Sequence, residues 1–137
     1  MAKSDGIRRT VLFVEDDAEV RSVGAVILGE LGYRVIEASS AEDAMEILRA
    51  QETIDLLMTD LAMPGIGGME LAHLAKRARP SLKVLYTSAY VRAVESSPAL
   101  RHGPLIEKPW MLQQLQGVVE KLIGPGEVTT PNETPSD

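Results

Sequence analysis

Four acidic side chains in two separate segments carry the strongest chemical signal in the sequence. Glu15, Asp16 and Asp17 directly follow the apolar run Thr10–Val14, and Asp60 follows a second apolar run. Clustered carboxylates are unfavourable unless a cation neutralises them. The chain has no cysteine and two histidines, so a metal site would use oxygen ligands, which suit Mg²⁺ or Ca²⁺ better than zinc. The acids therefore predict a divalent-cation site, provided that the fold brings both segments together.

A hydroxyl group and an ammonium group stand at comparable places further along the chain. Ser88 ends the apolar run Leu82–Ser88, and Lys108 directly follows Pro104–Glu107. Each polar residue alone has a plain explanation: an acidic cluster is most often a solvated helix start, and Asp60 could stabilise a turn. Their shared position at the ends of apolar runs favours one common site instead.

Apolar runs alternate with amphipathic stretches of helical period along the whole chain. The predicted strands are Thr10–Val14, Tyr33–Ala38, Ile54–Thr59, Leu82–Ser88 and Pro104–Glu107. This alternation predicts an α/β fold, a flavodoxin-like doubly wound (βα)5 sandwich whose five-stranded parallel sheet has the order 2-1-3-4-5. In such a sheet, ligands bind beyond the carboxyl ends of the strands, between strands 1 and 3.

The helices between these strands are predicted from apolar residues spaced three and four apart. Pro98 predicts a short or frayed fourth helix, and Pro109 is expected at the first position of the last helix. The residues expected to face the core are Val20, Val23, Ile27 and Leu31 in the first helix; Ala41, Ala44, Met45 and Leu48 in the second; Leu71, Leu74, Ala75 and Ala78 in the third; and Leu112, Leu115, Val119 and Leu122 in the last.

Length, charge and hydropathy argue against several classes of protein. The 137 residues suit one domain, predicted at 10–123, with a flexible N-terminus at 1–9 and a flexible tail rich in glycine and proline at 124–137. The net charge of −6 argues against non-specific nucleic-acid binding. The apolar runs are far shorter than the roughly 18–20 residues of a membrane span, and no apolar segment typical of a secretory signal follows the N-terminus. We expect a cytoplasmic protein.

Four motifs, taken together, identify a family resemblance. VLFVEDD, DLLMTDLAMPGIGG, VLYTSAY and IEKP occur in the order and at nearly the spacing found in the receiver domain of bacterial two-component response regulators. The chain resembles that family from about residue 10 to residue 123. The resemblance implies a Mg²⁺-dependent (or Mn²⁺-dependent) phosphoryl transfer to Asp60, followed by a change of conformation.

The resemblance also implies a role for each matching residue. Its metal ligands would be Glu15, Asp16, Asp60 and the backbone carbonyl of Ala62, and the phosphoryl group would contact Ser88 and Lys108. Four further residues have secondary expectations: Asp17 is an acid that is not a main ligand, Thr87 is a weaker switch candidate than Ser88, Leu105 replaces an aromatic residue common in the family, and Pro109 follows a peptide bond that is commonly cis.

The expected partners are a sensor histidine kinase or histidine phosphotransfer protein and a separate downstream protein, because no output domain is recognisable after Ile123. The protein would be a monomer or a phosphorylation-dependent dimer, and not an enzyme acting on other substrates. Two alternatives stay open: a phosphate sink without an output partner, and a phosphohydrolase of the haloacid dehalogenase type. In the latter the nucleophile comes first and the acidic pair last, the reverse of the order found here. A pseudo-receiver that only binds protein fits poorly with the intact acids, Ser88 and Lys108.

Overall fold

The computed structural model describes residues 8–51 and 53–127. Within these residues, parallel strands form one sheet of five, in the order β2-β1-β3-β4-β5. The strands are β1 (Thr10–Val14), β2 (Arg34–Ala38), β3 (Leu56–Asp60), β4 (Lys83–Ser88) and β5 (Leu105–Glu107). This order confirms the predicted doubly wound topology and puts the switch point between β1 and β3.

Helices connect the strands and begin where the sequence offers capping side chains. They are α1 (Ala18–Glu30), α2 (Ala41–Ala50), α3 (Gly68–Ala78), α4 (Val91–Val94) and α5 (Leu112–Ile123). Asp17 caps α1, and Ser40 caps α2 by accepting a hydrogen bond from the amide of Asp43. The prediction of a reduced fourth helix is confirmed, since α4 has four residues and a 3-10 turn follows at Pro98–Leu100.

Two apolar layers cover the two faces of the sheet. Leu12 and Val14 face α2 and α3, whereas Val11 and Phe13 face α1 and α5. Alternate residues of a strand point to opposite faces, so β1 supplies both layers. Every residue of β1 and β3 is buried, as expected for central strands covered on both sides.

The predicted helix faces are correct for α2 and partly wrong elsewhere. Val23 on α1 and Leu112 on α5 were expected in the core, but they are 55% and 54% exposed. The buried residues of α1 are Gly24 and Leu28, which lie one position further along the chain. On α3 the inward residues include Ala72, whereas Ala78 is exposed.

Pro109 does not begin the last helix. The Lys108–Pro109 peptide bond is cis, both residues lie in a bend, and Met111 is extended, so that α5 starts at Leu112. The expected cis bond is therefore confirmed and the expected helix position is wrong. The proline belongs instead to the connection that leads away from Lys108.

Gly24 provides the close contact that fixes α1 on the sheet, and this yields a prediction. A Cβ atom at this position would lie 2.4 Å from Phe13 Cε2 and 3.0 Å from Trp110 Cη2. We expect Gly24→Ala to lower the free energy of unfolding by about 1–3 kcal/mol through overpacking. Gly29 lies in the same helix with nothing within 4 Å of its Cβ position, so Gly29→Ala should stabilise the protein by up to about 1 kcal/mol. Urea denaturation of both variants measures this contrast, and equal effects at the two sites would contradict it.

The last described residues pack against the start of β2. Tyr33 donates a hydrogen bond to the carbonyl of Gly124 (2.7 Å), and the amide of Glu127 donates to the carbonyl of Gly32 (2.9 Å). These contacts involve the first part of the predicted tail, while residues 1–7 and 128–137 lie outside the described residues. Among the helices in the described ranges, none is long and apolar enough to cross a bilayer.

Candidate functional site

The carboxyl ends of the central strands bring the predicted site residues to one edge of the sheet. Val14 pairs with Thr59, so Glu15 and Asp60 leave β1 and β3 at the same level. Asp60 pairs with Thr87, and Ser88 pairs with Glu107, the residue before Lys108. The parallel register therefore positions side chains that are up to 93 residues apart in sequence.

Glu15, Asp16 and Asp60 form a cluster that could hold a metal ion. One carboxylate oxygen from each lies within 4.8 Å of the others, with Glu15 and Asp60 buried and Asp16 exposed. Converging carboxylates with one side open to solvent fit a hard dication that keeps some water ligands, such as Mg²⁺. In residues 8–51 and 53–127 no other group of three acids or histidines converges in this way.

Asp17 has a different task from its two neighbours. Its carboxylate accepts hydrogen bonds from the amides of Glu19 (2.9 Å) and Val20 (3.1 Å), which makes it the N-cap of α1. It is not a member of the acid cluster. Helix capping thus explains why the third acid of the motif stands here.

Lys108 joins the two buried carboxylates. Its Nζ lies 3.0 Å from Glu15 Oε1 and 3.1 Å from Asp60 Oδ1, and its side chain is 17% exposed. A partly buried ammonium group with two carboxylate partners is held much more firmly than a surface lysine. The ammonium group can stabilise negative charge on these carboxylates and also on a ligand that binds between them.

Proton affinities in this cluster reflect burial and charge. Burial raises the pKa of Glu15 above its ordinary value, although hydrogen bonds from Lys108 and from the Asp17 amide act in the opposite direction. Burial lowers the pKa of Lys108, but its hydrogen bonds and charge interactions with Glu15 and Asp60 outweigh burial, and the net shift is upward. The site thus favours positive charge beside its acids, which is the condition for cation binding.

The two hydroxyl candidates have different surroundings. Ser88 Oγ accepts a hydrogen bond from the amide of Tyr90 (2.9 Å), at the start of α4, and its side chain is buried at the end of β4. Thr87 is fully buried, and its hydroxyl has no partner among the described residues. Ser88 therefore links the edge of the site to α4.

The remaining predicted residues surround this cluster. Ala62 is exposed in the loop between β3 and α3, and Pro109 follows Lys108 through the cis bond. Leu105 pairs with Tyr86 of β4 in the sheet, so an aromatic side chain occupies the neighbouring strand rather than β5. That tyrosine is fully buried.

Sequence reasoning overlooked one contact at the edge of the acid cluster. Arg21, on the first turns of α1, donates from Nη1 to the backbone carbonyl of Glu15 (2.7 Å). Its Nε also lies 3.5 Å from Oε1 of Glu37 in β2. A helical residue one turn after the cap points back over the preceding turn, but the sequence does not show which atom it meets.

Comparison with known proteins finds one family. The family model of the response regulator receiver domain matches residues 11–120. The response regulator receiver protein CpdR of Brucella abortus is 31% identical over 117 residues, which cover 84% of this chain and 97% of that protein. The sensor kinase CckA of the same organism is 32% identical over 117 residues, which cover 83% of this chain and only 12% of the kinase.

A solved structure shares both the fold and part of the sequence. The response regulator TrrA of Thermotoga maritima, crystallised in complex with Mg²⁺ and BeF, superposes with a TM-score of 0.77 at 26% identity. The match covers 83% of this chain and 98% of that chain. The likeness therefore extends over most of both chains.

Proposed function

This chain belongs to the family of response regulator receiver domains, the signalling modules of two-component systems, and on that premise we propose that Asp60 accepts a phosphoryl group. The observation that carries the proposal is the convergence of Asp60 with Glu15, Asp16 and Lys108 at one edge of the sheet. Asp60 is 5% exposed, so its carboxylate has a defined place at the end of β3.

In the proposed reaction, an oxygen of Asp60 attacks phosphorus and the bond from phosphorus to the donor breaks. With a phosphohistidine donor, the bonding electrons return to the imidazole nitrogen, and the product is an acyl phosphate. Lys108 Nζ, already 3.1 Å from Asp60 Oδ1, stabilises the negative charge on the transferring oxygens. The protein thus catalyses its own modification and no reaction on other substrates.

We assign the divalent cation to the acid cluster. Glu15, Asp16 and Asp60 would hold Mg²⁺ or Mn²⁺, with the backbone carbonyl of Ala62 as a further ligand. When bound, the ion neutralises the charge that builds up on phosphoryl oxygens. The mixed burial of the cluster supports this assignment, because an ion there would be reachable from solvent on the Asp16 side.

The proposed switch begins at Ser88. Its oxygen accepts from the Tyr90 amide, and a hydroxyl can donate its own proton at the same time. Donation to the phosphoryl group on Asp60 would pull Ser88 toward Asp60. Through the hydrogen bond with Ser88, Tyr90, which directly precedes α4, would move with it. Phosphorylation would then shift the balance between two conformations of the α4 segment.

The proposal extends to partners and boundaries. A sensor histidine kinase or a histidine phosphotransfer protein would supply the phosphoryl group, in the cytoplasm, where ATP feeds the kinase. The receiver domain would span residues 10–123 and act as a monomer or a phosphorylation-dependent dimer. The output would pass through a separate downstream protein, with a phosphate sink as the other outcome of the same chemistry.

Phosphotransfer profiling tests this function. We expect one purified histidine kinase of the source organism to transfer phosphate to the protein much faster than the others do, in a Mg²⁺-dependent reaction. A parallel assay with a phosphate ester should show no turnover. Transfer from no kinase and none from small acyl phosphates, or efficient ester hydrolysis, would contradict the proposal.

The residues near the site also predict a slow loss of the phosphoryl group. Ala62 and Tyr90 are both exposed at the rim, and neither carries an acid or amide group that readily orients an attacking water. We expect Ala62→Asn to shorten the lifetime of the acyl phosphate at least about tenfold. Ala62→Val, which adds bulk without a polar group, is the control. Autodephosphorylation in Mg²⁺ measures this, and equal lifetimes in the two variants would refute it.

A further inference from the structure

Asp16 depends on its backbone for its position. Within residues 8–51 and 53–127 its carboxylate makes no hydrogen bond or ion pair, and it is the exposed member of the acid cluster. The side chains of its two sequence neighbours do have partners: Glu15 accepts a hydrogen bond from Lys108, and Asp17 caps α1. The direction in which the Asp16 side chain leaves the main chain is therefore set by the peptide that joins it to Glu15.

Arg21 holds that peptide. Its Nη1 donates to the carbonyl oxygen of Glu15 at 2.7 Å, and this carbonyl belongs to the Glu15–Asp16 peptide unit. On the other side, the amide of Glu15 donates to the carbonyl of Ala38 at the end of β2. The two bonds fix both ends of Glu15, so the chain enters Asp16 in one direction.

Arg21 is itself oriented by a second residue. Its Nε lies 3.5 Å from Oε1 of Glu37, and the Arg21 side chain is 21% exposed. Glu37 pairs with Phe13 in the sheet and is therefore anchored to the strand that precedes the acids. The guanidinium group thus connects β2, α1 and the turn after β1.

We propose that Arg21 is a positioning residue for the divalent cation: by holding the Glu15 carbonyl it keeps the Asp16 carboxylate turned toward Glu15 and Asp60. This inference rests on the proposed function and assigns to it a residue outside the acid cluster. Partners one step removed from a metal typically change its affinity 10- to 100-fold when they are lost.

Charge and geometry make opposite predictions for this residue. A positive side chain close to the cluster repels a dication, so removing it should tighten binding if charge alone mattered. If Arg21 acts by position, removing it should weaken binding in spite of the lost repulsion. The sign of the change therefore separates the two explanations.

The test measures the affinity for Mn²⁺ by the electron paramagnetic resonance signal of the free ion, with Mg²⁺ as competitor. We expect Arg21→Met to weaken binding about tenfold, and Arg21→Lys to weaken it at least as much, since the charge stays while the guanidinium contacts are lost. Glu37→Gln should weaken it less, in the same direction. Unfolding in metal-free buffer is measured alongside, because a purely structural role would change stability without changing affinity.

Each outcome has one meaning. Wild-type affinity or tighter binding in Arg21→Met overturns the inference, and if that variant does not fold, Arg21→Lys decides by the same criterion. Asp16→Asn controls for the proposed function. If the wild-type protein binds no Mn²⁺ or Mg²⁺, or if Asp16→Asn binds as well as wild type, the metal site itself is wrong. If the wild-type protein binds the ion and only Asp16→Asn loses binding, the metal site is supported and the role of Arg21 is contradicted.

Discussion

Asp60→Asn is expected to abolish phosphoryl uptake, with a fall in rate of at least about 1,000-fold. The amide has nearly the same shape as the carboxylate but no nucleophilic oxygen that could form an acyl phosphate. Lys108 would keep its second partner, Glu15 Oε1 at 3.0 Å, so the fold should survive. Uptake from a small acyl phosphate in Mg²⁺, followed by electrophoresis that retards phosphorylated protein, measures the effect.

Asp17→Asn is the matched control, because it makes the same chemical change at an acid that is next to Asp16 in sequence and is not a member of the acid cluster. Asp17 caps α1, and asparagine caps helices about as well as aspartate does. This variant should therefore take up phosphate at nearly the wild-type rate. Continued uptake by Asp60→Asn would show that the acceptor lies elsewhere, and equal loss in both variants would contradict an effect specific to Asp60.

Lys108→Met should have the second largest effect. It should lower the rate of phosphoryl uptake and raise the affinity for Mg²⁺. Loss of the ammonium group removes the charge that faces the transferring oxygens, and the uptake rate should fall about 100-fold. The same change frees Glu15 Oε1 and Asp60 Oδ1, which now share that ammonium group, and removes a positive charge from the cation site. Mg²⁺ should therefore bind more tightly while phosphoryl transfer becomes slower.

Phosphorylation kinetics and Mg²⁺ titration of the same preparation separate these two effects. Lys121→Met, on the exposed side of α5, is the control for removing a lysine as such and should change neither quantity. If Lys108→Met lost Mg²⁺ affinity and rate together, the lysine would be supporting the pocket rather than acting on the phosphoryl group.

The sheet and its active edge were predictable because their signals are local. Runs such as Val11–Val14 are apolar at every position, which is what a strand buried on both faces requires. Polar residues directly after such runs must come to the same edge in a parallel sheet. The order of the strands followed from the alternation with helices, and from it the meeting of Asp16 with Asp60.

The orientation of α1 was not predictable, because contacts between distant residues decide it. The spacing of Val20, Val23 and Ile27 describes one face of α1, yet the helix turns Gly24 to the sheet. The reason is the ring pair Phe13 and Trp110, whose centroids lie 5.6 Å apart in an edge-to-face arrangement and fill the space over that glycine. The spacing of apolar residues in α1 does not indicate such a contact.

Two features of the site escaped sequence reasoning for a related cause. Asp17 belongs by position to the acidic motif, but the start of α1 needs a cap, and that local demand determines where its carboxylate points. Arg21 acts on a backbone carbonyl, an atom that every residue has. A contact of this kind leaves no mark on residue type, so it becomes visible once coordinates are known.

Chemical trapping of the modified residue tests the central claim most directly. The protein is phosphorylated with a small acyl phosphate in Mg²⁺, the acyl phosphate is reduced with borohydride, and the altered residue is located by peptide mass spectrometry. We expect the change at Asp60, and none when Mg²⁺ is chelated beforehand. A modified Glu15, Asp16 or Asp17 with an unmodified Asp60, or modification that persists without a divalent ion, would contradict it.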